Sequence, residues 1–297
     1  MFTALAVFLA PDCLWAEEPV VVPPIRVEDS TIQDNAIEDS ILFDDEDFGS
    51  TSRNVQDDPS DIDGPEGPVR QAAMAPAVRL RQSGGVGQPA GLVIRGVDPQ
   101  GTMTTLDGVP LNSPFLGGSD LSGLSLMPLV RLRVSRGGMS AGMGSDAIGG
   151  VLEAITGSPL DLPGAQGSIT VGSFGTAKLK VQYGQRSGNW GGMAAVGFLS
   201  SSGDYPFTDT NGNSRVRSHN SALALEGLIK IENKPAEGHR LTLMVEGFAD
   251  DRDVPGLEQF PSDTAAQKDQ RAIAGLTYHG PSVFTRGGSI LGRLYFR

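Results

Sequence analysis

Leu92-Val-Ile-Arg-Gly96, Leu106-Asp-Gly-Val-Pro-Leu-Asn112, Leu129-Val-Arg-Leu-Arg-Val-Ser-Arg-Gly137 and Ile148-Gly-Gly-Val-Leu-Glu-Ala-Ile-Thr156 follow one another within sixty-five residues. Each is a short apolar run bounded by Gly, Pro or Asn, the pattern of short strands joined by tight turns. In the third run Leu132 and Val134 alternate with Arg131, Arg133 and Ser135, which predicts a strand with one dry and one polar face. Just upstream, Val69, Ala72, Ala73 and Leu80 form a loose apolar stripe, so residues 69–80 are expected to be helical, capped or kinked by Pro76.

Downstream of Gly167 the alternating runs lengthen. Leu179, Val181 and Tyr183 alternate with Lys178, Lys180 and Gln182; Leu223, Leu225, Ile229 and Ile231 alternate with Ala224, Glu226, Lys230 and Glu232; Leu241, Leu243 and Val245 alternate with Thr242 and Glu246. These runs approach the length of a tilted strand that crosses a bilayer. Arg186–Asn189, Asn233–Gly238 and Gly280–Pro281 read as short turns, whereas Ser201–Arg217 and Asp250–Gln267 read as long polar loops. Short turns at one end and long loops at the other mark an outer-membrane barrel more than a soluble sandwich. About 130 residues at roughly 20 per strand and loop give six or seven strands, fewer than the smallest closed barrels. The fold class expected is therefore an α+β domain followed by antiparallel β strands of an incomplete transmembrane β-barrel. It divides into residues 67–158 and 159–297, and a truncated reading frame is the expectation that goes with an open sheet.

The composition is compatible with this. The chain has 297 residues, 40 of them Gly, a formal net charge of −12 and one cysteine, Cys13, so no disulfide is available. No apolar run reaches 18 residues, so a membrane protein of this composition must cross with strands. The charge is concentrated: residues 28–66 hold 14 Asp/Glu against Arg53 alone, and such a block is normally a solvated, flexible arm. Before it, Phe2–Ala10 is a short apolar core and Leu14-Trp15-Ala16 a candidate signal-peptidase site, making 1–16 a signal peptide without the usual basic start. Pro19, Val20, Val21, Val22, Pro23 and Pro24 form a segment that cannot be helical and can add as an edge strand to a partner sheet.

Motifs that suggest chemistry fail on context. Gly138-Met-Ser140-Ala-Gly142 matches the serine-hydrolase elbow, which must lead into a helix; here glycines and another strand follow. Gly85-Val-Gly87-Gln-Pro-Ala90 and Gly142-Met-Gly144-Ser-Asp-Ala147 match a dinucleotide fingerprint without its βαβ unit. Asp45, Asp47 and Gly49 lack a closing Glu, and Asp209-Thr-Asn211-Gly-Asn213 lacks the sixth-position Gly of a calcium loop, so the latter reads as a polar turn. No catalytic residue, metal site, cofactor or nucleic-acid partner is assigned.

The order of Ile94-Arg95-Gly96, Asp107–Pro110, Arg136-Gly137, Ser140–Gly144 and Ile148–Val151 resembles the plug domain of TonB-dependent outer-membrane receptors. Gly203–Phe207 and Val254–Gly256 resemble the first long loops of its cobalamin- and siderophore-type members. The resemblance implies active transport of a scarce ligand, a ferric siderophore or cobalamin, across the outer membrane of a Gram-negative bacterium. It implies that Pro19–Pro24 is the TonB box, with TonB, ExbB and ExbD as partners alongside outer-membrane lipid. It further implies that Val97, Asp98, Pro99, Gln100 and Gly101, with Asn112, Ser113, Pro114 and Phe115, face the small-molecule ligand. Arg95 and Arg136 match plug arginines that contact barrel carboxylates. A structural outer-membrane protein or non-functional fragment that does not transport is the competing expectation, and a Ser140 hydrolase a remote one. Ser140→Ala is expected to leave uptake unchanged; covalent capture of Ser140 by a fluorophosphonate would establish a nucleophile instead.

Overall fold

The computed structural model describes residues 20–21, 51–56, 67–113, 117–137, 146–160, 163–209, 211–257, 260–281 and 289–297. In chain order the elements are β1 (Val20–Val21), β2 (Thr51–Gln56), α1 (Gly67–Ala72), β3 (Val78–Gln82), β4 (Ala90–Ile94), β5 (Thr102–Leu106), β6 (Val109–Pro110), β7 (Leu129–Arg136) and β8 (Gly150–Thr156). There follow β9 (Gly164–Gly172), β10 (Thr176–Ser187), β11 (Trp190–Ser201), β12 (Tyr205–Thr208), β13 (Ser214–Arg217), β14 (Ala222–Asn233) and β15 (Arg240–Asp253). The last four are β16 (Gly256–Leu257), β17 (Phe260–Pro261), β18 (Ala266–Pro281) and β19 (Ser289–Phe296).

The first domain is built on a five-stranded sheet of order β2-β7-β8-β5-β6. Its central strand β8 is buried along all seven residues, because β5 runs parallel on one side and β7 antiparallel on the other. The Asp107-Gly108 pair turns β5 into β6 with both residues at positive φ, 48° and 77°, the conformation that makes Asp-Gly a preferred two-residue hairpin turn. The polar face expected of β7 is not solvated: Arg133 is buried as well, facing Glu153 of β8 at 3.8 Å. A cross-strand carboxylate is what permits a guanidinium there.

Two local expectations are corrected. Helix α1 ends at Ala72, and Leu80 lies in β3, paired with Leu92. Pro76 and Ala77, the latter at φ 61°, reverse the chain rather than kink a helix. Thr51–Gln56, placed in the flexible acidic arm, is a strand that pairs antiparallel with β7 and covers its edge. These six residues carry none of the arm's carboxylates, so they can join a sheet edge without bringing in negative charge.

The second domain is one open sheet of order β1-β9-β10-β11-β14-β15-β18-β19, antiparallel at every pairing. Connections at one end span residues 188–189, 234–239 and 282–288. At the other end, 202–221 and 254–265 carry the hairpins β12–β13 and β16–β17. Gly280 and Pro281, read as a turn, are the last residues of β18. Gly280 serves space instead, since a Cβ there would collide with the Tyr278 hydroxyl.

Alternation is clearest along β14. On β14 Leu223, Leu225, Ile229 and Ile231 are exposed while Ala224, Glu226, Leu228, Lys230 and Glu232 are buried. Apolar groups therefore face outward and charged groups inward, the inverse of a soluble sheet and the arrangement hydrocarbon requires. No helix among the described residues is long and apolar enough to cross a membrane. Deleting residues 30–50 from the full chain is expected to leave its thermal midpoint unchanged. Deleting 51–56 is expected to cost on the order of 2–4 kcal/mol, at about 0.5–1.5 kcal/mol per lost ladder bond, read by denaturant titration.

Candidate functional site

The plug rests on the inward-facing, charged face of the second sheet. One apolar core runs without a break from α1, β3–β8 and Leu121, Leu124 and Met127 into Met193, Ala195, Leu228, Met244 and Ile273 of the barrel wall. Contact is backbone-close at glycines. A Cβ on Gly197 of β11 would collide with the backbone carbonyl of Leu126, one on Gly123 would lie 2.6 Å from the Phe248 ring, and one on Gly87 would lie 2.5 Å from Ala222. Gly85 and Gly87, part of the dinucleotide-like motif, thus belong to the β3–β4 hairpin. The second of them admits the plug to the wall.

Charge pairs flank this apolar belt at both ends. At the short-turn end, Lys230 of β14 reaches Asp107 of the Asp-Gly turn at 3.1 Å and Glu232 of its own strand at 3.8 Å. It also donates to the Thr156 hydroxyl at 3.0 Å. Asp107 accepts from the Thr156 backbone N–H at 2.9 Å and hydroxyl at 2.6 Å, which ties the β5–β6 turn to the end of β8. At the long-loop end, Arg252 of β15 has no exposed side-chain surface. Its Nη2 lies 2.7 Å from Asp120 of the plug, 2.8 Å from Asp250 and 2.6 Å from Asp269, and its Nη1 donates to the Gly87 carbonyl at 3.2 Å. The Asp120, Asp250 and Asp269 carboxylates lie close enough together for a cation, and the guanidinium supplies it. Between the two layers, Arg271 holds Glu246 through Nε at 3.1 Å and Nη2 at 2.5 Å and stands 3.9 Å from Glu226.

The expected ligand loops are placed at the long-loop end. β5 runs from Thr102 to Leu106, just before Asp107 at the short-turn end, so residues 97–101, which precede it, lie at the opposite end. Gly118 packs against Pro99 and Gln100, Gly117 against Gln100 and Gly91 against Pro99, which brings 97–101 together with Gly117 and Gly118. Asp98 is exposed and paired with Arg81 at 3.2 Å. Asn112 departs from expectation. It is buried, accepting from the Thr104 N–H at 2.8 Å and donating to the Thr102 carbonyl at 3.0 Å, so it locks the loop and presents nothing to a ligand. Pro114, Phe115, Ser140, Pro19 and Val22–Pro24 lie outside the described residues. Arg95 is exposed at φ 55° and Arg136 donates to the Pro76 carbonyl within the plug; among the described residues neither reaches a barrel carboxylate.

The long loops converge on the plug. Gln88, buried, donates to the Asp253 carbonyl at 3.2 Å and lies 3.5 Å from that of Asn220. His219 meets the Ala265 carbonyl at 2.9 Å, and Arg217 donates to that of Gly256. Phe174, Tyr205 and Phe207 form an aromatic row, with centroids 6.0 and 6.4 Å apart. Asp209 closes the β12–β13 hairpin as a polar turn. Its carboxylate accepts from Asn211, Asn213 and Arg215, and donation from the Asn213 backbone, foremost, holds it below the usual carboxylate range.

The second sheet thus has an apolar outer face, and its charged inner face is covered by a separate α+β domain. Residues 70–151 match the TonB-dependent Receptor Plug Domain family. Similar solved structures include the FrpB iron transporter from Neisseria meningitidis (TM-score 0.64, 15% identity, 82% of this chain and 40% of that one). They also include the copper transporter OprC (0.61, 15%, 76% and 34%) and the siderophore receptor PiuA from Acinetobacter baumannii (0.55, 15%, 78% and 34%). The chain spans between a third and two fifths of the length of these receptors. Residues 70–151 thus match a plug-domain family, and the described chain has the fold of the corresponding part of these receptors and transporters.

Sequence reasoning missed Asp107, Asp120, Lys230 and Arg252 as the junction. For the barrel pair a signal was present, a charge on the inward register of a strand whose other register is mostly aliphatic; for Asp120 there was none. Gly197→Ala is expected to destabilise the seated plug by about 1–3 kcal/mol in urea titration. Gly192→Ala on the same strand, with nothing within 4 Å, should stay within about 0.5 kcal/mol.

Proposed function

We propose that this chain belongs to a receptor that takes up a scarce metal chelate, a ferric siderophore, across the outer membrane, driven by TonB with ExbB and ExbD. The observation that carries the reading is the seating of the plug. A domain joined to its barrel wall by a continuous apolar core and by ion pairs at both ends does not leave the pore by thermal motion alone. Passage through it needs work done on the plug. The structural neighbours are described as a siderophore receptor, an iron transporter and a copper transporter, which favours a chelate over cobalamin. The ligand is bound by Val97–Gly101 and Ser113 of the plug together with the long loops, where the aromatic row and Arg217 offer stacking and positive charge.

The coupling segment in this reading is Pro19–Pro24. Val20 and Val21 pair antiparallel with Val171 and Thr170 on the outer edge of β9, which supports the segment as a strand donor. A barrel closes by giving that edge of β9 to its last strand, so in a closed receptor the valines are available to a partner sheet such as TonB. Val21→Pro removes a donor and blocks pairing. The variant is expected to abolish accumulation inside cells while surface binding of the chelate is retained, with Val21→Ala milder. Normal accumulation by Val21→Pro cells would make the segment a linker.

A further inference from the structure

The two ion pairs that fasten the plug share a feature that the barrel's internal pair lacks. Asp120 uses different oxygens for different tasks. Its Oδ1 accepts from the backbone N–H groups of Ala90 and Ser122 at 3.1 and 3.0 Å, within the plug, and its Oδ2 meets Arg252. Remove the plug, and Arg252 still has Asp250 and Asp269, both on the barrel. Asp107 likewise keeps both Thr156 donors, and Lys230 keeps Glu232. Arg271, by contrast, is committed to Glu246 and Glu226 of the wall, and none of its ion-pair partners is a plug residue.

Separating a buried ion pair is costly mainly because each charge is left without a partner. Here neither side is. From this placement we infer that Asp120–Arg252 and Asp107–Lys230 are exchangeable latches, contacts that fix the plug's register on the wall yet release it without stranding a buried charge. The proposal rests on the reading of the chain as a plugged receptor. The long-loop latch sits one step from the ligand loops: Asp120 accepts from the Ala90 N–H, and the adjoining Gly91 packs against Pro99. Displacement of those loops by a bound chelate would loosen Arg252–Asp120 first.

Exchangeability makes the two partners unequal. Asp120→Asn keeps an amide oxygen for Ala90 and Ser122 and removes only the charge facing Arg252. Arg252→Gln leaves Asp120, Asp250 and Asp269 together with no cation. The purified receptor in planar bilayers, carrying potassium chloride current under increasing urea, reads plug displacement directly, and heat-modifiable migration in gels reads barrel folding. Asp120→Asn is expected to keep the folded barrel and raise the open fraction at fixed urea about tenfold, the effect of about 1.4 kcal/mol; Asp107→Asn should act in the same direction. Arg252→Gln is expected to lose folded barrel outright. An Asp120→Asn receptor as closed as wild type, or one that loses its barrel as Arg252→Gln does, would overturn the latch. A wild type that shows no urea-opened pore would overturn the receptor reading itself, and this inference with it, and the wild-type trace alone tells the two failures apart.

Discussion

A single guanidinium, that of Arg252, meets three carboxylates at the place where two domains of different solvent preference touch. The barrel strands must be apolar outside because hydrocarbon solvates no charge, so most of their buried polarity is turned inward. That leaves Glu226, Lys230, Glu232, Glu246, Asp250, Arg252, Asp269 and Arg271 on an inward face, most of them buried. Such a face is stable only if each charge has a partner, and the plug supplies part of the set. The plug is thus more than a stopper held by shape, because it completes the electrostatics of the wall behind it.

Between the charged layers the interface behaves as a protein interior. Met193, Ala195, Leu228, Met244 and Ile273 join the plug's own core, and glycines on both partners allow backbone contact that any side chain would prevent. Methionine at two of these five wall positions suits a surface that must pack well yet repack. The apolar belt provides adhesion, while the charged ends set register and make release directional. The long loops enter the same network through Gln88, at the end of the plug where Asp120 is fastened.

Much of the fold was legible in the chain. Four glycine-bounded runs gave the plug strands, and a strict two-residue alternation gave the barrel strands, because both signals are local: a turn needs particular residues at particular φ, and lipid on one face demands an aliphatic at every second position. What was misread locally was misread for a local reason. The stripe from Val69 to Leu80 fits a helix until Ala77 adopts a left-handed conformation, and Thr51–Gln56 looks like more of an acidic arm although it ends the longest acid-free run within it.

The functional junction belongs to tertiary structure. Nothing around Asp120 distinguishes it from any loop aspartate, and Asn112, with its neighbours, suited a ligand loop until folding buried it against Thr102 and Thr104. Lys230 and Arg252 were visible as inward charges, but an inward charge names no partner. Partners 132 residues apart, as Asp120 and Arg252 are, are chosen only when β5, β8, β14 and β15 have been stacked in register. The sequence determined which face of the barrel strands would meet lipid and where most chain reversals would fall, since those follow from neighbours along the chain. Which carboxylate would meet which cation was decided by the packing of one domain on the other, because buried charges choose partners by distance in space.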